Sequence, residues 1–226
     1  MQLRYLNLEY LLYVIPAYLF VLAIQIWLRS TISRYSKIPA AMTGVESAGT
    51  VLRISGVYGV NVVQTEGNLT DNFDPSSSVI YLSKSVYGVR SVAAVGIAAH
   101  EAGHAVQHYE EYGPAKLRQA AVGVCNIGSR LSVPLIIAGY IFSMPVLIYA
   151  GIVCFGLIVA FQLITLPVEF NASRRAVKIL SESGMITDDE LKGVKRVLTA
   201  AAMTYVGALA LSSVQMLFYI SRVKRK

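Results

Sequence analysis

The longest uncharged run in the sequence, residues 131–168, constrains the fold more than any other feature. As one α-helix it would extend about 57 Å, at ~1.5 Å per residue. A bilayer has a hydrocarbon core only about 30 Å thick. The run therefore predicts two membrane-spanning helices joined as a hairpin, with the turn near Met144–Pro145 or near Tyr149–Gly151.

Two further uncharged runs are each long enough to cross a membrane once. The first, Tyr10–Leu28, has no small-residue cleavage site after it, which favours a retained anchor over a cleaved signal peptide. The second is Val197–Ser221, which Arg222 follows. We therefore predict a mainly α, polytopic protein, with residues 1–226 as one membrane-embedded domain. The expected spans are residues 10–28, 131–148, 151–168 and 197–221.

The composition supports a membrane protein and argues against a nucleic-acid-binding one. Hydrophobic residues make up 55% of the chain and charged residues 15%, whereas soluble proteins have about 25% charged residues. The formal net charge is +7, but the basic residues flank the uncharged runs instead of forming one patch. The expected partner is thus the lipid bilayer. Cys125 and Cys154 lie in apolar surroundings and imply no disulfide framework.

Four spans place both termini on one side of the membrane and the polar segments 29–130 and 169–196 on the other. Near the spans, these segments carry more lysine and arginine than the termini do. Because basic residues concentrate in cytoplasmic loops, this bias predicts that the polar segments face the cytoplasm. The basic tail at 222–226 argues for the opposite orientation.

Within the polar segments, residues 39–128 and 169–196 predict a small catalytic region of the zincin-like α+β type. Short β-prone runs and helical patterns alternate with stretches rich in turn-forming residues. The expected elements are a helix over 41–52, β-prone runs at 60–64 and 78–82, a turn over 67–75 and a helix over 91–109.

All three histidines of the chain fall within nine residues, at His100, His104 and His108. His100 and His104 are four residues apart, so on a helix both can reach one metal ion. Glu101 lies beside that face, where it can take a proton from water that the metal activates. This is the H-E-x-x-H pattern of zinc peptidases, in which the glutamate is the general base.

A catalytic zinc site needs a third protein ligand. His108 lies about 12 Å along the helix from His100, too far for good convergence. Glu110 occupies the position of a metzincin third histidine, but no glycine turn precedes it. Glu169 is better placed, because the hairpin returns it to the side of His100, and Pro167 suits the first turn of a new helix. Its alternative role is to complement the dipole of that helix.

The sequence resembles the YugP-type membrane zinc metallopeptidases of bacteria over most of its length. The most specific matches are Ala98–His108 and Pro167–Ala176, with further likeness at 69–75 and 79–83. The chain is more distantly similar to HtpX and CAAX-prenyl peptidases. The resemblance implies one zinc ion per chain, held by His100, His104 and Glu169, with Glu101 as catalytic acid and base.

The sequence departs from these patterns in two places. Ser173 stands where the distant relatives have aspartate, so no carboxylate is available there to orient a ligand histidine. Asn72-Phe73 stands where the family is expected to have a histidine and a tyrosine, so no polar role of that pair is carried over from the resemblance. Asp71 and Asp74 are interpreted as turn residues.

The predicted function is a zinc-dependent metalloendopeptidase in the cell membrane that cleaves membrane-associated or misfolded proteins. Its substrate would extend along an edge strand at Val79–Leu82. The alternatives are a non-catalytic zinc-binding protein and a metal transporter. A transporter would need acidic, basic or histidine side chains within the spans, and the four predicted spans have none. A structural zinc site would have no use for Glu101.

Overall fold

The computed structural model describes residues 2–67 and 70–223, with side chains from Tyr10 onward. Asn68 and Leu69 of the predicted turn and the last three residues of the basic tail lie outside the described residues. The described chain contains six helices and three strands, which confirms a mainly α protein. The helices are α1 Gln2–Tyr35, α2 Gly44–Ile54, α3 Val92–Tyr109, α4 Gly113–Ile141, α5 Pro145–Ser183 and α6 Asp188–Val223, and the strands are β1 Asn61–Thr65, β2 Asn72–Asp74 and β3 Val79–Ser83.

Four of the helices are long and apolar enough to cross a membrane: α1 from Tyr10 onward, α4, α5 and α6. This confirms the predicted number of spans. The hairpin turn lies between Ile141 and Pro145, so the alternative turn at Tyr149–Gly151 is wrong. The predicted span boundaries at residues 148 and 151 therefore shift to Ile141 and Pro145. Ser143 has a φ of 54°, a left-handed value that a right-handed α-helix does not accommodate. Pro145 then suits the first turn of α5.

The predicted new helix at Pro167 is wrong, because α5 continues without a break from Pro145 to Ser183. Proline lacks the N–H that would bond to the preceding turn, but membrane helices tolerate this loss where their neighbours compensate. Glu169 therefore lies in the interior of a long helix. A glutamate at that position cannot complement the N-terminal dipole, because the dipole acts only within the first turn.

The chain divides into two compact units: one made of residues 1–25, 117–166 and 204–226, and a second made of residues 26–116 and 167–203. In the first unit, glycines bring α4 and α5 into close contact. A Cβ at Gly151 would lie 2.8 Å from the carbonyl oxygen of Ser132, and one at Gly139 would lie 2.5 Å from the Ile148 side chain. Small residues are typical of interfaces between membrane helices.

The second unit has a hydrophobic core centred on α2 and α3. Thr43 caps α2 with a capping box, in which its hydroxyl accepts from the Glu46 N–H and the Glu46 carboxylate accepts from the Thr43 N–H. Ser47 donates to the carbonyl of Val95 and so joins the two buried helices. The buried alanines and valines of α3 fill the space between them. This packing fixes the position of α3, on which the histidines lie.

The three strands form a sheet in the order β1-β3-β2, with β1 parallel and β2 antiparallel to β3. The prediction of Val79–Leu82 as a free edge is therefore wrong, because β3 is paired on both sides. The outer edges belong to β1 and β2. The sequence did not indicate β2, since Asn72 and Asp74 are poor strand formers and tertiary contacts hold this short strand in place.

Asp71 and Asp74 hold the segment around β2. Asp74 accepts hydrogen bonds from Ser76 and Ser77, which lower its pKa to about 2. Asp71 accepts from the backbone N–H of Ser83 at 2.8 Å. The bonds of Asp74 stabilise the β2–β3 turn, and the bond of Asp71 ties the start of β2 to the end of β3.

Candidate metal centre

A close contact between α3 and α5 builds the site. Ser91 caps α3 by accepting from the N–H of Ala94, and the helix then continues through the H-E-x-x-H pattern. A Cβ at Gly103 would lie only 2.6 Å from the carbonyl oxygen of Ala172, so the two backbones nearly touch there. Only glycine allows this approach, and the approach brings α5 against the histidine-bearing face of α3.

His100, His104 and Glu169 come together at this contact. The Nε2 atoms of His100 and His104 lie 3.2 Å and 3.6 Å from Oε2 of Glu169. The ligand atoms of all three residues lie within 4.8 Å of one another. Two tetrahedral ligands about 2.1 Å from a zinc ion are roughly 3.4 Å apart. Two imidazoles and one carboxylate at these distances fit zinc.

The other ring nitrogen of each histidine also has a partner. Nδ1 of His100 lies 3.1 Å from the Ser173 hydroxyl, and Nδ1 of His104 lies 3.0 Å from Oε1 of Gln107. The missing carboxylate at position 173 therefore does not leave His100 unsupported, because the serine hydroxyl contacts it instead. The sequence analysis did not identify Gln107, although its spacing of three residues from His104 places it on the same helical face.

Glu101 lies beside the cluster and has a different partner. Its Oε2 accepts a hydrogen bond of 3.1 Å from the backbone N–H of Phe73 in β2. Position 73 thus contributes its backbone N–H to the site, a donor that every residue except proline supplies. The Glu101 carboxylate therefore lies outside the three-residue cluster.

His108 and Glu110 lie apart from the cluster. His108 is exposed, and its ring centroid is 5.8 Å from that of Phe73. Glu110 forms an ion pair with Arg175 at 2.6 Å. Neither belongs to the group of three residues that could hold a metal, so the structure does not bring these two alternative ligands to the site.

The electrostatics of the cluster favour positive charge. Burial by itself would lower the pKa of His104. The Glu169 carboxylate beside the ring and the negative charge of Glu101 outweigh this effect, so the pKa of His104 is raised. An environment that stabilises a proton on this ring also stabilises a metal cation in its place.

A protein-family model described as "Putative neutral zinc metallopeptidase" matches residues 10–224. The chain belongs to this family. It is also 43% identical over 198 residues to the "Putative membrane protease YugP" of Bacillus subtilis (strain 168), covering 87% of this chain and 88% of that protein. These matches confirm the resemblance to the YugP-type peptidases. No solved structure matches the chain.

Proposed function

We propose that the protein is a membrane-bound, zinc-dependent metalloendopeptidase. One observation carries the proposal: two imidazole nitrogens of α3 converge on the Glu169 carboxylate of α5, while Glu101 is held beside them by a different contact. The family membership implies zinc, and the donor set suits it. A cluster of three ligands leaves one tetrahedral position open, as catalytic sites do.

The proposed roles follow from these positions. His100, His104 and Glu169 hold one zinc ion per chain, which when bound would polarise the scissile carbonyl and make water more acidic. Glu101 takes the proton of the attacking water and later delivers it to the leaving nitrogen. The N–H of Phe73 keeps the Glu101 carboxylate in position for both transfers.

The proposed substrates are membrane-associated or misfolded proteins. Glu169 directly follows the uncharged run that ends at Val168, so on α5 the ligand comes immediately after the membrane-spanning residues. An extended peptide can add to an exposed strand edge through backbone hydrogen bonds. Of the two edge strands, β2 contacts Glu101, and we therefore assign substrate binding to β2.

The alternative functions explain the site less well. A structural zinc site is closed by four protein ligands, whereas among the described residues three are grouped at this position. It would also give Glu101 no role. A transporter needs acidic, basic or histidine side chains within its spans, and the four predicted spans contain none.

We further propose that the polar segments, and with them the site, face the cytoplasm of a multi-pass cell-membrane protein. The lysines and arginines near the spans support this orientation. A reporter that is active only outside the membrane should be silent when fused after Asp74 or Asp188, and active when fused at the C-terminus. The reverse pattern would place the site on the outer face.

Metal content and proteolysis of the purified protein test the proposed function together. The full chain in detergent should contain about one zinc per chain, and a strong chelator should abolish its cleavage of an unfolded protein substrate, since the reaction needs the metal. Added zinc should restore the cleavage. The Glu101→Gln variant, purified in parallel, reports any contaminating protease. Full activity in thoroughly metal-free protein would contradict the proposal.

A further inference from the structure

Gln107 is a buried amide whose two polar ends contact different helices. Its side chain is 1% exposed. Oε1 lies 3.0 Å from Nδ1 of His104 on α3, and Nε2 donates to the carbonyl of Val168 and to Oδ1 of Asn171 on α5. A buried amide is costly unless its groups are hydrogen-bonded, and here both ends are. Gln107 therefore connects His104 to the turn of α5 that carries Glu169.

The orientation of this amide follows from Arg175. A guanidinium N–H can only donate, so Oδ1 of Asn171 must face Nε of Arg175, at 2.7 Å. The same Oδ1 contacts Gln107 at 3.0 Å, and an oxygen acceptor there requires the Gln107 NH₂ group. The Val168 carbonyl requires the same group. Oε1 of Gln107 must then face His104.

This orientation determines which nitrogen of His104 carries the proton. A neutral imidazole has one N–H and one lone pair, and an amide oxygen can only accept. Nδ1 of His104 must therefore donate to Gln107, which leaves the lone pair on Nε2. That is the nitrogen that lies 3.6 Å from Oε2 of Glu169. The hydrogen bonds thus direct the Nε2 lone pair of His104 toward the candidate metal site.

His100, the other clustered histidine, has no neighbour that determines its tautomer among the contacts of its Nδ1. Nδ1 of His100 contacts the hydroxyl of Ser173, and a hydroxyl can either donate or accept. Ser173 therefore supports the ring without selecting its tautomer. Of the two clustered histidines, only His104 has its tautomer selected by this hydrogen-bond network.

We propose that Gln107 is a positioning residue that fixes the zinc-binding tautomer of His104, and that Asn171 and Arg175 set the orientation of its amide. The inference rests on the zinc site of the proposed function. It adds three residues that neither bind the metal nor contact the reacting atoms. Their effect is on metal affinity, because outer hydrogen-bond partners orient the ligands.

Four variants of the full-length protein separate hydrogen-bond direction from packing. Gln107→Met keeps the length of the side chain but removes its hydrogen bonds, and should weaken zinc binding by about 10- to 100-fold. Asn171→Leu removes the acceptor and should weaken it by about 10-fold. Asn171→Asp keeps an acceptor towards both Arg175 and Gln107, and should stay within about 3-fold of wild type. Ser173→Ala should have a smaller effect than Gln107→Met.

Zinc affinity is measured by competition with a chelator of known affinity. Selective ¹⁵N-histidine labelling gives a second readout, since the chain has three histidines. In metal-free wild type with a neutral ring, the signals of His104 should show a protonated Nδ1, and in metal-free Gln107→Met this preference should be lost. If Gln107 only filled space between the helices, the Gln107→Met substitution would not change the tautomer of His104.

The outcomes separate this inference from the proposed function. If the wild type binds zinc and Gln107→Met and Asn171→Leu bind it equally tightly, the inference fails while the zinc site stands. If Asn171→Asp loses as much affinity as Asn171→Leu, packing and not hydrogen-bond direction is responsible, which also overturns it. A wild-type protein that binds no zinc would contradict the proposed function itself.

Discussion

The two sides of the candidate site are held in different ways. On the helical side, Glu169 is 2% exposed, and each clustered histidine has a second hydrogen-bond partner on its other nitrogen. On the strand side, Glu101 is held by one backbone N–H from a three-residue edge strand. Metal ligands must keep a fixed geometry, whereas a general base must stay accessible to substrate. Damage to the helical side should therefore release metal, and damage to the strand side should slow turnover with metal still bound.

The largest effect should come from separating α3 and α5. Gly103→Ala places a Cβ 2.6 Å from the Ala172 carbonyl oxygen, a backbone atom that can move only with its helix. We expect a loss of roughly 1–3 kcal/mol of stability from overpacking and zinc binding weakened by about 10-fold or more. Thermal unfolding and chelator competition measure the two effects.

Gly49→Ala is the matched control for that substitution. It lies on α2 in the same unit, and its Cβ would meet no atom within 4 Å. Alanine is the better helix former by about 1 kcal/mol, so this variant should be as stable as wild type or more stable, with normal zinc affinity. Equal behaviour of the two variants would show that the contact between α3 and α5 does not determine the metal geometry.

A smaller effect is expected on the strand side, where Phe73→Pro removes the N–H that binds Glu101. Proline is tolerated in edge strands where its nitrogen faces away from the sheet. A hydrogen bond to a charged group contributes about 1.5–3 kcal/mol, so kcat should fall roughly 10- to 100-fold with zinc retained. Phe73→Leu keeps the N–H and should be more active than the proline variant. Zinc loss in Phe73→Pro, or equal rates for the two, would argue against this role.

The smallest effect is expected for His108→Ala. His108 is exposed and contacts Phe73 instead of the metal cluster. Zinc affinity should stay within about 2-fold of wild type, and the rate loss should remain below the ~10²-fold that removal of a catalytic acid or base causes. His104→Ala, the comparison variant, should lose zinc. Release of zinc by His108→Ala would make it a ligand.

The sequence predicted the elements whose patterns are local. Uncharged runs of membrane-spanning length gave the four spans, and the continuous apolar and small residues over 91–109 predicted the α3 helix. The spacing of His100 and His104 placed both on one face, and the hairpin brought Glu169 to their side. These features depend on helical periodicity, length and chain connectivity, which can be derived from one sequence.

The features that the sequence did not predict depend on long-range contacts. The β2 strand forms through pairing with β3 and a bond to Glu101, so the true sheet edge could not be derived from strand propensity. Pro167 was interpreted as a helix start, but α5 continues through it from Pro145 to Ser183. Gln107 resembles an ordinary polar residue until α5 places Val168 and Asn171 against it.

The two carboxylates of the site are proposed to have separate roles, and one paired measurement tests this separation. Zinc content and peptide hydrolysis are measured side by side for Glu169→Gln and Glu101→Gln, which make the same chemical change. Glu169→Gln should lose zinc, because it replaces a carboxylate ligand with an amide. Glu101→Gln should keep about one zinc per chain and lose about 10²–10⁴-fold in rate. Zinc retained in Glu169→Gln, or released by Glu101→Gln, would contradict the assignment.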